Sequence, residues 1–315
     1  MAITLDPRTN YKEGIIRCIT SREGNVEIKG YVDRSELYRI KGNSLESFII
    51  GKKLNIKNEN EILKQLIKKE WDFLGLEDPD IYIDKETNLM HVYFTIPIRY
   101  GDKTKKMKIN LGHAEGKDLD SLEMNMPVLV DNGIESAKEV SIAPPNQKGF
   151  RYNLIESRDY RNNITYSVIK AAIAKEMGKT WKYGETVFHP AEHNIPWIGG
   201  HASPGPLFSK SFIDLSKGRL LGILNGREEN QIIAGKTKYG TFSIGLFIYD
   251  YENGKIDWVS PKPFIQDSEA VTITFASQFI ETKPGEGILY AHVDDSFVRA
   301  YTLKAEFIKP LLPKI

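Results

Sequence analysis

An all-β fold is what this sequence predicts, on three observations. Short runs rich in β-branched and aromatic residues recur at 15–20, 47–50, 80–83, 90–98, 106–111, 140–143, 151–156, 165–174, 219–224, 242–249, 256–259, 271–275, 286–292 and 298–304, punctuated by Gly, Pro, Asn and Asp. Convincing helical pattern is confined to Glu59–Lys69, where Ile62, Leu63, Leu66 and Ile67 fall on one face. Two segments of similar design, Leu111–Asp120 and Ala172–Trp181, each end a strand in a short polar run. They lie roughly sixty residues apart, about the length of one four-stranded propeller blade with its loops. About five such units fit the chain, so a five-bladed β-propeller forming one domain over residues 1–315 is the expected architecture. A β-sandwich with a helical insertion is the competing arrangement.

The elements follow in order from local chemistry. The run at 15–20 holds Cys18 within Ile15-Ile16-Arg17-Cys18-Ile19; as the chain has one cysteine it forms no internal disulfide. Its apolar neighbours make it a small core residue rather than a nucleophile. After the helix comes Trp71-Asp72-Phe73-Leu74-Gly75-Leu76-Glu77-Asp78-Pro79-Asp80, an acidic turn closed by proline, followed by a strand-like run from Leu89 to Ile98. Proline restricts the residue before it, so Asp78 is expected in extended backbone, aimed by the main chain at the start of a strand. Adjacent carboxylates held there can place an acid over a substrate. The densest basic cluster, Lys103–Lys108, reads as a solvated hairpin. Trp181 reads as a core aromatic and Trp197, between Pro196 and Gly199, as a stacking surface for a sugar. His189 and His193 are four apart, but Pro190 intervenes and no helix supports them, so they are not a metal pair.

Composition narrows the function classes. With 41% hydrophobic and 27% charged residues and a net charge of +1, the chain gives no general reason to expect nucleic acid or an anionic membrane as partner. The segment Met1–Pro7 lacks the long apolar stretch of a secretory signal, and no run approaches the length of a membrane span. Cytoplasmic location is the default expectation. No cofactor and no metal are called for, and a homo-oligomer is compatible with the sequence.

Four segments, in order, resemble motifs of glycoside hydrolase family 130, the mannoside phosphorylases and hydrolases. Gly75-Leu76-Glu77-Asp78-Pro79-Asp80, with a strand ending Tyr93-Phe94-Thr95, resembles the family's Gly-x-Glu-Asp-Pro-Arg motif and Tyr-Thr strand. Lys138-Glu139 and the strand Phe150–Arg158 are similar to its Lys-Asp segment and its Gly-x-Tyr strand ending in arginine. Gly205-Pro206-Leu207-Phe208 and the strand through Asn225-Gly226 resemble its Gly-Pro-Pro-Ile segment and the strand ending Tyr-His-Gly. Gly287–Asp294, with Ala300 beyond, is similar to its Tyr-Gly-Ala-Ala-Asp-Thr motif. The order holds from about residue 35 to residue 305.

The resemblance implies an oligosaccharide substrate and a set of site residues. Asp78 matches the general acid, with Glu77 beside it; Asp294 matches an aspartate that holds sugar hydroxyls; Arg39 resembles the arginine closing a Leu-Tyr-Arg strand, and Arg158 the arginine ending the Gly-x-Tyr strand. In the family's phosphorylases an arginine, a lysine and a histidine grip phosphate. Arg99 and Lys138 match the first two, and Asn225 stands at the histidine. A phosphate dianion needs several converging cations, so that replacement favours hydrolysis. An inverting hydrolase needs a second carboxylate to activate water, for which Glu228, Glu229 and Glu269 are the candidates. The expected activity is an inverting β-mannoside hydrolase. Its alternatives are a phosphorylase using inorganic phosphate held by Arg99, Lys138, His201 and Arg227, and a propeller that binds sugar without catalysis. His201 lies in the Gly/Pro-rich loop Gly199–Pro204, where binding residues are common. Two further departures from the motifs are Asp80 in place of arginine and Asp295 in place of threonine.

Overall fold

A computed structural model describes residues 2–101, 106–216 and 218–314. At 56% strand and 8% helix the chain is all-β, as expected. It divides into two compact units, the first comprising Met1–Glu23, Val32–Lys138 and Ala174–Lys182, the second Gly24–Tyr31, Glu139–Ile173 and Tyr183–Ile315.

The first unit holds two antiparallel sheets. One runs β1 (Ile3–Leu5), β2 (Glu13–Glu23), β3 (Val32–Ser44) and β4 (Ser47–Lys53) in sequence order. After the helix α1 (Glu59–Leu66), β5 (Asp72–Phe73) and β6 (Glu77–Ile83) both pair with β7 (Met90–Tyr100), which continues to β8 (Lys106–Gly116) and β9 (Glu123–Leu129). From Met90 to Ile98, β7 is buried at every position, His91 and Thr95 included, which is why its sequence reads as a largely apolar run rather than an alternation. Leu37, Leu76, Ile81, Val92, Phe94 and Met124 lie in its core. Burying each such side chain contributes about 1.5–3 kcal/mol. Of the basic cluster read as a hairpin, Lys103, Thr104 and Lys105 lie outside the described residues.

The second unit contains most of a sheet ordered β10 (Lys138–Ser141), β11 (Arg151–Arg161), β12 (Ile164–Ala174), β14 (His201–Leu207), β15 (Arg219–Arg227), β18 (Phe242–Asp250) and β19 (Lys255–Val259), with β13 (Lys182–Phe188) on β12. A parallel bridge, Ser167↔His201, joins β12 to β14, and from β14 through β15 and β18 to β19 the pairing is antiparallel. A hairpin of β16 (Gln231–Ile233) and β17 (Lys236–Lys238) and a three-stranded sheet of β20 (Thr274–Lys283), β21 (Glu286–Val293) and β22 (Phe297–Lys304) complete it. Each sheet among the described residues is open; none closes on itself.

Both similar segments, Leu111–Asp120 and Ala172–Trp181, span the end of a strand and the turn that follows it. Trp181 is buried against Tyr93, ring centroids 5.1 Å apart, as a core aromatic. Trp197 is not the expected sugar platform. It is 5% exposed, donates from Nε1 to Ser260 O at 3.0 Å, and is roofed by glycines. A Cβ at Gly226 or Gly245 would stand 2.3 Å from its ring. Half-buried Cys18 has its thiol pushed up by burial, which suits a packing role.

Candidate functional site

The acidic pair sits on a kink in the first unit. Register along β6 and β7 runs Glu77↔Thr95 and then Asp80↔Tyr93, so β6 carries one extra residue, a bulge. Within it Asp78 has φ 48°, in the left-handed region, not the extended conformation that Pro79 led the sequence to expect. Holding a non-glycine residue there costs about 1–3 kcal/mol and marks a place where the surroundings dictate the backbone. Glu139 repeats the device with φ 51°. Asp78 is the second residue of β6 and Glu139 the second of β10, so the two segments likened to Glu-Asp and Lys-Asp motifs share one backbone conformation.

Arg17, on β2, organises the pair. Its Nη1 donates to Asp78 Oδ1 at 2.8 Å, its Nη2 to Glu77 Oε1 at 2.9 Å and its Nε to Ser35 Oγ at 2.9 Å. The Ser35 hydroxyl donates in turn to Glu77 Oε1 at 3.3 Å. The side chains of Arg17, Glu77 and Asp78 are 9%, 15% and 6% exposed, so the ion pairs are nearly dry and the guanidinium uses its full fork. The sequence contained the signal: Arg17 interrupts an apolar strand, where an unpaired cation would be untenable. Next along β6, burial pushes the Asp80 carboxyl up to about 7.

Arg39 and Arg99, also expected at this site, lie in separate ion-pair groups. Arg39 pairs with Asp120 and, at 3.4 Å, with Glu13. Arg99 and Arg34 both bind Asp72, whose carboxyl is held below its usual range first by its hydrogen bond to Arg34. Lys138 is partly buried at the start of β10.

In the second unit, His201 opens β14 with Nε2 3.0 Å from Glu156 Oε2 and its ring edge-on to Phe242. Glu156, which no sequence motif marks, is 3% exposed inside the apolar strand β11; Arg158, two residues on, is half-buried. Arg227, at the end of β15, is 8% exposed, with its guanidinium carbon 4.5 Å from the Tyr239 ring centroid and 5.4 Å from that of Phe242. Burial lowers its basicity, Glu156 being among the groups that oppose this. Nη1 donates to Asn230 Oδ1 at 2.7 Å, and Nε, buried, has no hydrogen-bond partner among the described residues. A desolvated guanidinium beside a histidine is suited to gripping an anion.

The remaining expected residues divide by what holds them. Asn225 is fully buried: its Oδ1 accepts from Ala276 N at 2.8 Å and its Nδ2 donates to Ala276 O at 3.1 Å, so both ends of the amide are committed to main chain. Asp294, at φ 48° in the turn between β21 and β22, accepts from the backbone amides of Val271, Thr272 and Ile273 at 2.8, 2.9 and 2.9 Å. Its carboxylate anchors that loop. Glu269 is 67% exposed and paired with Arg299 at 3.1 Å. Glu228 and Glu229 line an open cavity of about 850 Å³ with His193, Asn194 and Pro196. His189 accepts from Ala191 N at 3.1 Å, and His193 stacks on Phe188 at 4.4 Å.

The sequence matches no protein-family model and no curated protein sequence. Solved structures do match over nearly the whole chain. A β-1,2-mannobiose phosphorylase from Listeria innocua, in complex with β-1,2-mannobiose, superposes with a TM-score of 0.68 at 12% identity, covering 99% of this chain and 90% of that one. A mannose phosphorylase from Leishmania mexicana, in complex with phosphate, gives 0.54 at 16% identity over 94% and 81%. A GDP-Man-dependent mannosyltransferase from the same organism gives 0.54 at 13% identity over 96% and 83%. The likeness to glycoside hydrolase family 130 read from the motifs is thus matched by a likeness in fold. Identities this low establish architecture and leave chemistry to the site.

Proposed function

We propose that this protein is a mannoside-cleaving enzyme, an inverting glycoside hydrolase built as one five-bladed propeller domain, its blades being the meanders β1–β4, β5–β9, β10–β13, β14–β19 and β20–β22. The observation that carries the reading is the bulged Glu77-Asp78 pair held by Arg17, on a fold like that of mannoside phosphorylases. Asp78 is the acid that protonates the departing oxygen, and Arg17 fixes its direction and supplies compensating charge as it cycles. Glu228 is our choice for the carboxylate that activates water, with Glu229 beside it in the same open cavity as the alternative, whereas Glu269 is bound to Arg299.

Hydrolysis is preferred over phosphorolysis because Asn225, at the position of a phosphate-gripping histidine, carries no charge and has its amide bonded to the main chain of Ala276 through both oxygen and nitrogen. Phosphorolysis remains the second reading on the strength of buried Arg227, whose Nε is free of a hydrogen-bond partner among the described residues, beside His201. Product analysis on a panel of mannosides, glucosides and arabinosides, with and without phosphate, decides. The hydrolase releases free mannose at a rate indifferent to phosphate; phosphate-dependent mannose 1-phosphate would overturn that reading. Asp78→Asn and Glu228→Gln are each expected to lower kcat by at least about 10²-fold with the fold intact. A variant retaining full turnover removes its residue from the mechanism.

A further inference from the structure

Beneath the β7–β8 pair of the first unit lies a group of ligating side chains that the cleavage chemistry does not use. His91 and His113 are 4% and 0% exposed, and Glu115 reaches them from a partly exposed position. Strand register places His91 opposite Glu115 and Tyr93 opposite His113, so all four project from one face of the sheet. His91 Nδ1 is 2.9 Å from His113 Nε2 and 3.7 Å from Glu115 Oε2, and the three ligand atoms lie within 4.8 Å of one another.

We propose that His91, His113 and Glu115 form a binding site for a divalent transition-metal ion of the Zn²⁺ or Co²⁺ type. Donors about 2.0–2.1 Å from such an ion stand about 3.0 Å apart at a right angle and about 3.4 Å apart at the tetrahedral angle. The observed 2.9 and 3.7 Å bracket those spacings, so only small side-chain movements are needed. Two imidazoles and one carboxylate favour a borderline ion over Mg²⁺ or Ca²⁺, which take oxygen donors. Three protein ligands leave room for water, and the exposed flank of Glu115 is a way in.

One observation outside the ligand set supports the assignment. The turn at Gly178 closes on the cluster: a Cβ there would stand 2.7 Å from Glu115 Oε2 and 3.5 Å from His113 Cε1, while Tyr93 donates to Met177 O at 2.9 Å.

Tag-free full-length protein, stripped with chelator, is titrated with Zn²⁺ by calorimetry and with Co²⁺ by visible spectroscopy. The expected result is one ion per chain, a ligand-field spectrum of four- or five-coordinate Co²⁺, and a thermal midpoint raised by Zn²⁺ and returned by EDTA. Glu115→Gln, on a partly exposed side chain that should leave folding intact, is expected to weaken binding more than about tenfold. Absence of stoichiometric binding would overturn the proposal, as would a Glu115→Gln protein with unchanged affinity, since the other histidines would then be the ligands.

Discussion

Replacing Asp80 with asparagine should stabilise the protein in alkaline solution and flatten its pH dependence. In the folded chain burial lifts this carboxyl to about 7 from an ordinary value of 3.8. The folded state therefore holds the proton more tightly than the unfolded state, and the associated stability is whole below about pH 4 and lost as pH rises through about 7. A shift of about three pH units, at about 1.36 kcal/mol each, sets an upper bound of about 4 kcal/mol, of which about 2–3 kcal/mol falls between pH 5 and pH 8. Asparagine keeps the acceptor that meets the Ile81 amide and cannot ionise. Urea denaturation of both proteins at pH 5 and pH 8 isolates the term, because every other titrating group is shared. The two stability curves should draw apart by about 2–3 kcal/mol across that range, with the variant more stable at pH 8. Parallel curves would show that Asp80 is solvated and that the burial argument is wrong.

Arg17→Met leaves Glu77 and Asp78 as two poorly solvated like charges and should cost about 3–5 kcal/mol in chemical denaturation. Adding Glu77→Gln should recover part of that loss; no recovery would mean that Arg17 acts by packing alone. Gly75→Ala meets both a φ of +110° and a Cβ placed 1.8 Å from Ser35 O, so a loss of about 2–4 kcal/mol and a lowered Tm are expected. An unchanged Tm would show that β3 and the Gly75 turn part more easily than their main-chain pairing implies.

Strand positions were legible wherever apolar residues are continuous or alternate, as along β7, and the helix was placed within a turn because its apolar face repeats at helical spacing. Val32–Ser44 escaped because two of its buried positions are Asp33 and Ser35, whose presence inside depends on partners elsewhere in the chain. The same limit governed the site. Asp78 announced itself through Glu-Asp-Pro, whereas Arg17 is a site residue only because β2 brings it to an acid sixty-one positions away. Trp197 looked exposed among Pro and Gly because those glycines read as a loop, yet glycines in β15 and β18 are what let its ring pack so closely. The bulge that reverses Asp78 is a matter of strand register, which a single strand does not encode.

The amide of Asn225 imitates a peptide group, presenting a donor and an acceptor to Ala276 as a neighbouring strand would. Histidine cannot reproduce that pairing, since a neutral imidazole offers its donor and acceptor on opposite edges of the ring. Installing a phosphate-gripping histidine at this position would therefore unstitch β15 from β20 and leave the main chain of Ala276 unsatisfied in a buried place. On the proposed hydrolase reading, a change from water to phosphate as the attacking species would consequently take more than one substitution. It would require a coordinated change in at least two strands, which gives the residue at position 225 a structural inertia independent of any selection on catalysis.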